Sequence, residues 1–378
     1  MGGRRFDKGG GRSGPCFVLV ILIVCLSLTT SRPISTSFQS RIRKVSGLPQ
    51  PRSDGRHLIQ FTDTQEGWLA DNKNLWRTTD GGMSWKLVYS ISQRSLNSIM
   101  GFQFVDSRNG FLRTSGWLLK TEDGGCTWRR LHTPFDFPQD QLLDLSFLAG
   151  GKVGWVVGGI YRPITRKELE QHPYPNYAIG TLPNDTEAVL EGVVFHTDDG
   201  GRTWHEQIRT RDVHIFLGLS FLDARHGVVL GDLDVFYTRD GGRSWHPIEF
   251  RDDCVDQNFM TVFEEHPVDV YFVGSGTGWV SYTGGYMAKS EDGGQTWCDL
   301  LHLGGTWPNS SDNFFQKIRF INQKHGFGLD VDGALYETRD GGATWVKINA
   351  NIRFEDIYLF DANHIWAVAD EGLFRIVP

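Results

Sequence analysis

The chain has 378 residues, with 38 Lys and Arg against 45 Asp and Glu, for a formal net charge of −7. Its first 44 residues carry eight basic side chains and one acid, so the remainder stands at a formal −14. So acidic a body speaks against nucleic-acid binding, which needs a cationic surface for the phosphates; 45 glycines and almost no helical periodicity speak against an α-rich fold.

Arg4, Arg5, Lys8 and Arg12 precede a 13-residue apolar run, Cys16 to Leu28. This is the n-region and h-region pattern of a secretory signal. As a helix the run spans only about 20 Å, short of a ~30 Å hydrocarbon core, which favours a cleaved signal over a permanent anchor. Residues 1–31 are therefore expected to be a signal peptide or signal anchor, and residues 32–44 a lead-in and closing strand. The expected location is secreted, periplasmic or lumenal, with residues 16–28 as the membrane anchor if they are retained.

From residue 45 one unit recurs. A first strand carries a large apolar residue: Phe61, Phe104, Phe147, Phe221, Phe272, Phe320 and Leu359. A second strand opens with a small residue and a bulky one, as in Gly67-Trp68, Gly110-Phe111 and Gly278-Trp279, with Ile365-Trp366 as the variant. A third strand leads into a phrase of the form Ser/Thr-x-Asp-Gly-Gly-x-Ser/Thr-Trp. Its six copies supply Asp80, Asp123, Asp199, Asp240, Asp292 and Asp340, each followed five residues later by Trp85, Trp128, Trp204, Trp245, Trp297 and Trp345. Each residue of the phrase has a folding role. The Asp carboxylate accepts from backbone N–H groups downstream, the glycines take positive φ, and the hydroxyls close the turn. The Trp is expected to bury a large ring at the start of a fourth strand. The six Asp stand one per turn, too dispersed to hold a hard cation.

Seven first strands and seven second strands meet only six Asp phrases. The seventh unit, about 354–378, stops after its third strand, and Phe38 to Val45 is placed to donate the missing fourth. Closing a ring in this way removes the last free edge. The expected fold is all-β: a seven-bladed β-propeller of four-stranded blades over residues 45–378, the last blade closed by an N-terminal strand. An insertion at 161–187 separates strands two and three of the third blade and holds one helix-like stretch, 165–172. Cys254 and Cys298 bracket the fifth unit and can pair in an oxidising compartment, while Cys126 sits in an Asp-phrase turn. Asp330-Val331-Asp332-Gly333 reads as a turn, and Gly274 to Gly278 precedes a strand and is no phosphate loop.

In a four-stranded blade the Asp phrases lie on one face, and the loops from strand two to three and from blade to blade lie on the other. The long connections, 131–141, 161–187, 250–267 and 301–313, are all of the second kind, and function concentrates in long loops on a rigid scaffold. The candidate partner-binding residues on that face are Arg162, Arg209, Arg211, Arg251 and Trp307. Arginine grips carboxylates bidentately, and Arg and Trp are the usual interface anchors. The plain alternative is that these are solvated loop side chains. No catalytic motif of the nucleophile-elbow or H-E-x-x-H kind appears, and no cofactor or metal site is expected.

The phrase is similar to the Asp-box, or bacterial neuraminidase repeat, found in sialidases, other glycoside hydrolases, sortilin-type receptors and photosystem II stability/assembly factors. The region from about residue 45 onward resembles the last group. Asn109-Gly110-Phe111, Val153-Gly154-Trp155 and Thr277-Gly278-Trp279 match its second-strand form, and Ile365 to Val368 with Gly372 to Arg375 matches its ending. The resemblance implies a non-enzymatic propeller outside the cytoplasm that binds protein partners among assembling membrane complexes. The insertion at 161–187 departs from the plain ring of that family. A sialidase-like or other glycoside hydrolase is the alternative. Against it, the nearest string to the sialidase Arg-Ile-Pro is the scrambled Tyr161-Arg162-Pro163-Ile164. Nothing pairs Asp252, Asp253, Glu264 and Glu265 as a glycosidase requires.

Overall fold

The computed structural model describes residues 41–50, 55–137, 139–165, 167, 179–181, 187–210, 213, 215–232, 234–251, 266–274, 276–302, 314–348 and 351–377. These belong to one compact unit, Ser37–Pro378; a second unit, Met1–Thr36, lies outside the described residues.

Seven sheets follow one another along the chain, antiparallel but for one strand added to the fifth. Blade one is built from Leu58–Phe61, Gly67–Ala70, Asn74–Thr78 and Lys86–Ser90, and the later blades repeat this order. Blade seven has three strands of its own, Phe354–Asp361, His364–Ala369 and Gly372–Ile376, and its fourth is Ile42–Ser46 from the N-terminus. That closing strand begins four residues later than the 38–45 segment read from the sequence. It pairs antiparallel with the last strand, with Ile42 opposite Ile376 and Ser46 opposite Leu373. Arg41 extends the closure: its guanidinium donates to both carboxylate oxygens of Glu337 in blade six, at 2.9 and 3.1 Å.

All six Asp phrases fold alike. In the first, Gly81 and Gly82 take φ of 72° and 92°. The Gly82 amide donates to Thr78 Oγ1 at 2.9 Å, the Ser84 amide to Asp80 Oδ1 at 2.9 Å, and the Ser84 hydroxyl to Asp80 Oδ2 at 2.6 Å. The Ser84 hydroxyl and amide hold the Asp80 carboxyl down at about 2. Thr127 does the same for Asp123, also to about 2.

The tryptophans of the phrases correct one expectation. Only Trp297 is fully buried; Trp85, Trp128, Trp204, Trp245 and Trp345 are half-buried. Each leads into the outermost strand of its blade, so one side of the ring is left to solvent. Trp297 differs because an added strand, described below, runs beside it. The inner edge of every ring keeps its packing role. Trp85, Trp128, Trp204, Trp245, Trp297 and Trp345 meet the first-strand rings of Phe61, Phe104, Phe147, Phe221, Phe272 and Phe320 edge to face, with centroids 6.0–6.5 Å apart. That is the favoured geometry for two aromatic quadrupoles. The indole N–H groups of Trp128, Trp297 and Trp345 donate to the second glycine of their own turns, Gly125, Gly294 and Gly342. Trp85 and Trp204 instead reach back to the preceding blade, at Ser46 and His132.

The Gly-aromatic pair of each second strand acquires a reason in three dimensions. A Cβ on Gly67 would lie 2.5 Å from the Phe61 ring, and one on Gly154 would lie 2.2 Å from the Phe147 ring. The missing side chain lets the first-strand ring lie flat over its own blade. Its other side meets the second-strand aromatic of the preceding blade: Phe104 on Trp68 at 3.7 Å, Phe147 on Phe111, Phe221 on Trp155 and Phe320 on Trp279 at 3.5 Å, and Phe61 on Trp366 at 3.8 Å. Four second-strand tryptophans also reach the next Asp phrase. Trp68, Trp155, Trp279 and Trp366 donate their indole N–H to the carbonyls of Gly124, Gly241, Gly341 and Gly81. The repeat therefore codes the contact between blades as well as the blade.

The third blade departs from the plain ring. Its second and third strands run on to Gly154–Pro163 and Glu187–Thr197, and a short strand, Ile179–Thr181, pairs with the latter. Part of the expected insertion is thus an extended hairpin arm; the helix-like stretch 165–172 lies almost wholly outside the described residues. A second departure has no counterpart in the sequence reading. Glu249–Phe250, just past blade four, adds a parallel strand to the outer edge of blade five beside Thr296 and Trp297.

Candidate functional site

Polar side chains gather in the central channel and on the loop face of blade three. The channel is lined by the first strands of all seven blades and has a volume of about 410 Å³. Gln60 and Gln103 each clamp the next blade, exchanging amide hydrogen bonds with the backbone of Phe104 and Phe147. Three carboxylates sit three residues before the first-strand apolar anchor of blades three, five and seven. Asp144 accepts from the Leu219 amide at 3.2 Å, Asp269 from Ile318 at 2.7 Å and Asp356 from Ile59 at 2.9 Å. Each thereby ties its blade to the following one.

Cations balance these acids. Arg319 pairs with Asp269 at 2.7 Å, and Lys317 is bonded to Asp356. Arg113 donates to the carbonyls of Leu142 and Met100. Burial pushes the Asp144 carboxyl up despite the nearby Arg113, and burial lowers the Lys317 ammonium against the pull of Asp356. The Asp269 and Asp356 pairs pin the ring from inside, whereas Asp144 is held by a backbone amide and the field of Arg113. First-strand alignment would have brought out Asp144, Asp269 and Asp356, since all three stand at one offset from Phe147, Phe272 and Leu359.

On the loop face, two sequence-predicted arginines come together. Arg162 Nε lies 2.9 Å from Glu191 Oε1, and Arg209 Nη1 lies 3.3 Å from Glu191 Oε2. Arg209 Nη2 also reaches Glu206 at 2.7 Å. Glu191 is buried, whereas the two arginines remain about a third exposed (31% and 34%). Asp140 stands beside them, accepting from the Tyr161 amide at 3.0 Å, and burial raises its carboxyl. Arg251 does not join this pair: it is exposed on the outer edge of blade five, its backbone N–H donating to the Trp297 carbonyl at 2.9 Å and its charge acting on Glu291 of that blade's Asp phrase. Arg211 and Trp307 lie outside the described residues, as do Asp252, Asp253, Glu264 and Glu265. Cys298 is disulfide-bonded; its expected partner, Cys254, also lies outside them. Cys126 is a free, exposed thiol.

Comparison with known proteins bears on the fold. Residues 236–247 match the BNR/Asp-box repeat model. No curated protein sequence matches the chain. Among solved structures, YCF48 bound to a D1 peptide is similar with a TM-score of 0.59 at 18% identity, covering 89% of this chain and 96% of that one. YCF48 from Cyanidioschyzon merolae gives 0.58 at 15% identity, over 89% and 99%. A GH74 xyloglucanase from Xanthomonas campestris gives 0.57 at 14% identity, but this chain spans only 52% of that enzyme. The chain is a seven-bladed propeller with Asp-box turns, similar in fold over 89% of its length to YCF48 and, over 88%, to about half of a GH74 enzyme.

Proposed function

We propose that this protein is a non-enzymatic propeller scaffold, acting outside the cytoplasm, that binds a polypeptide segment of a partner, in the manner of a photosystem II assembly/stability factor. One observation carries the reading: a propeller of which this chain covers 96%, with a TM-score of 0.59, is solved with a peptide bound.

The proposed contact surface is the loop face, with Arg162, Arg209, Arg211 and Trp307, together with Arg251 on the outer edge of blade five. Arg162 and Arg209 share one buried acid, so their guanidinium edges are held in place with part of each fork still facing solvent. A pre-oriented pair of this kind favours an acidic or C-terminal carboxylate on the partner. Binding of tiled peptides from membrane-protein segments, measured by fluorescence anisotropy, tests this. Binding weakened at least tenfold in the five-alanine variant supports it; unchanged binding removes the site. The purified protein assayed on sialosides and glycan polymers tests the alternative, and turnover abolished by changing a loop carboxylate would establish a hydrolase.

A further inference from the structure

The junction of blades seven and one is where the ring must be held shut. Its outer edge is closed by Ile42–Ser46. On its inner, loop-face side three side chains converge: His57 ahead of the first strand of blade one, Glu355 on the first strand of blade seven, and Asp370 in the turn between the second and third strands of blade seven. One ligand atom from each lies within 4.8 Å of the other two. His57 Nδ1 is 2.7 Å from Glu355 Oε2, and the Glu355 and Asp370 carboxyls lie within hydrogen-bonding reach of each other. Two adjacent carboxylates repel unless a proton or a cation lies between them.

A second observation concerns the imidazole. His57 is 2% exposed, and its Nε2 has no hydrogen-bond partner. The buried ring is thus committed to the cluster through Nδ1 alone. Glu355 and Asp370 line a surface pocket of about 300 Å³, so an ion can reach them.

We propose that His57, Glu355 and Asp370 bind a divalent transition metal of the Zn²⁺ class, which staples blade seven to blade one. One imidazole nitrogen and two carboxylate oxygens are a donor set that Zn²⁺ accepts and that Ca²⁺, which wants six to eight oxygens, does not. The 2.7 Å His57–Glu355 spacing need open by about 0.7 Å to reach the ~3.4 Å between two ligands held about 2.1 Å from one tetrahedral ion. With Nδ1 on the metal, Nε2 keeps the ring proton and meets no acceptor. Arg56 and Arg353 line the same pocket and oppose a second positive charge. An absent outer-shell partner usually lowers affinity by about 10–100-fold, which places this site on the order of micromolar rather than nanomolar.

The test uses the full chain, stripped with a chelator and returned to buffer. Equilibrium dialysis against ZnCl₂ should give one Zn²⁺ per chain, with CaCl₂ giving none. Saturating Zn²⁺ should raise the melting temperature by about 3 °C. His57→Ala should abolish both effects. Asp370 is exposed, so Asp370→Asn keeps the fold even if the His57 variant does not, and it should weaken Zn²⁺ binding at least tenfold. Absence of Zn²⁺ on the folded wild type at ~100 μM free metal would overturn the proposal, that excess being enough to fill a micromolar site. Unchanged affinity in Asp370→Asn would overturn it too, by placing the ion elsewhere.

Discussion

Phe61 stacks on Trp366 with ring centroids 3.8 Å apart and planes 8° from parallel, joining the first strand of blade one to the second strand of blade seven. The same tryptophan donates its indole N–H to the Gly81 carbonyl in the first Asp phrase. One side chain thus holds blade seven against both the first strand and the Asp phrase of blade one. Trp366→Ala is expected to cost about 3–5 kcal/mol in urea unfolding, as for other large buried aromatics. Trp366→Phe, which keeps a ring but loses the hydrogen bond, should cost about 1–2 kcal/mol.

The outer clasp predicts a sharp boundary for truncation. A chain beginning at Arg41 should unfold with the same cooperativity as one that includes the preceding residues. A chain beginning at Gly47 loses the fourth strand of blade seven and exposes an unpaired edge. It should melt lower and aggregate on heating, read by light scattering. Arg41→Ala should cost about 1–2 kcal/mol, because His325 and Arg339 still reach the buried Glu337 carboxylate.

Acid should unfold the ring late and steeply. Asp80, Asp123 and Asp240 are each held at about 2 in the folded chain, and Glu337 also sits at about 2. Their unfolded values lie near the ordinary carboxylate range, so the unfolded chain binds more protons as the pH falls. The stability these groups confer is complete above about pH 4–5 and is lost as the pH drops through 2. Tryptophan fluorescence followed from pH 6 to pH 1.5 should stay native-like to about pH 4. Asp80→Asn should begin to unfold at higher pH than the wild type.

Stacking requires the glycine beneath it. Gly67→Ala puts a methyl group 2.5 Å from the Phe61 ring and should cost about 1–3 kcal/mol through overpacking. Gly47→Ala has nothing within 4 Å of the added carbon and serves as the control, expected within about 0.5 kcal/mol of the wild type. Equal effects at the two positions would mean that the glycine serves backbone freedom instead.

Much of this was legible in the chain itself, because turn chemistry is local. Asp80, Gly81, Gly82 and Ser84 each act within five residues, so the six turns, the blade count and the deficit in blade seven follow from the repeat. What stayed hidden depends on how one blade meets the next. Gly67 reads as a strand opener until Phe61 is seen lying across it. Trp85 and Trp297 look alike in the phrase, and only the neighbouring strand decides which ring is covered. Asp144, Asp269 and Asp356 look like scattered acids until the first strands stand side by side. The pairing of Arg162 with Arg209 through Glu191 was obscured by the inserted arm, whose length concealed the register of its two strands. The parallel addition of Glu249–Phe250 to blade five has no sequence signature, since neither residue belongs to a strand-length apolar run.

The account turns on the loop face being the partner surface, and one comparison tests it most directly. Wild-type protein, the five-alanine variant of Arg162, Arg209, Arg211, Arg251 and Trp307, and a variant of the opposite face carrying Met83→Ala, Arg202→Ala and Lys324→Ala are each used to capture partners from detergent-solubilised host membranes, with quantitative mass spectrometry. The account predicts that the proteins enriched by the wild type are retained by the Asp-phrase-face variant and lost by the loop-face variant. Retention by the loop-face variant, with loss on the Asp-phrase face, would contradict it.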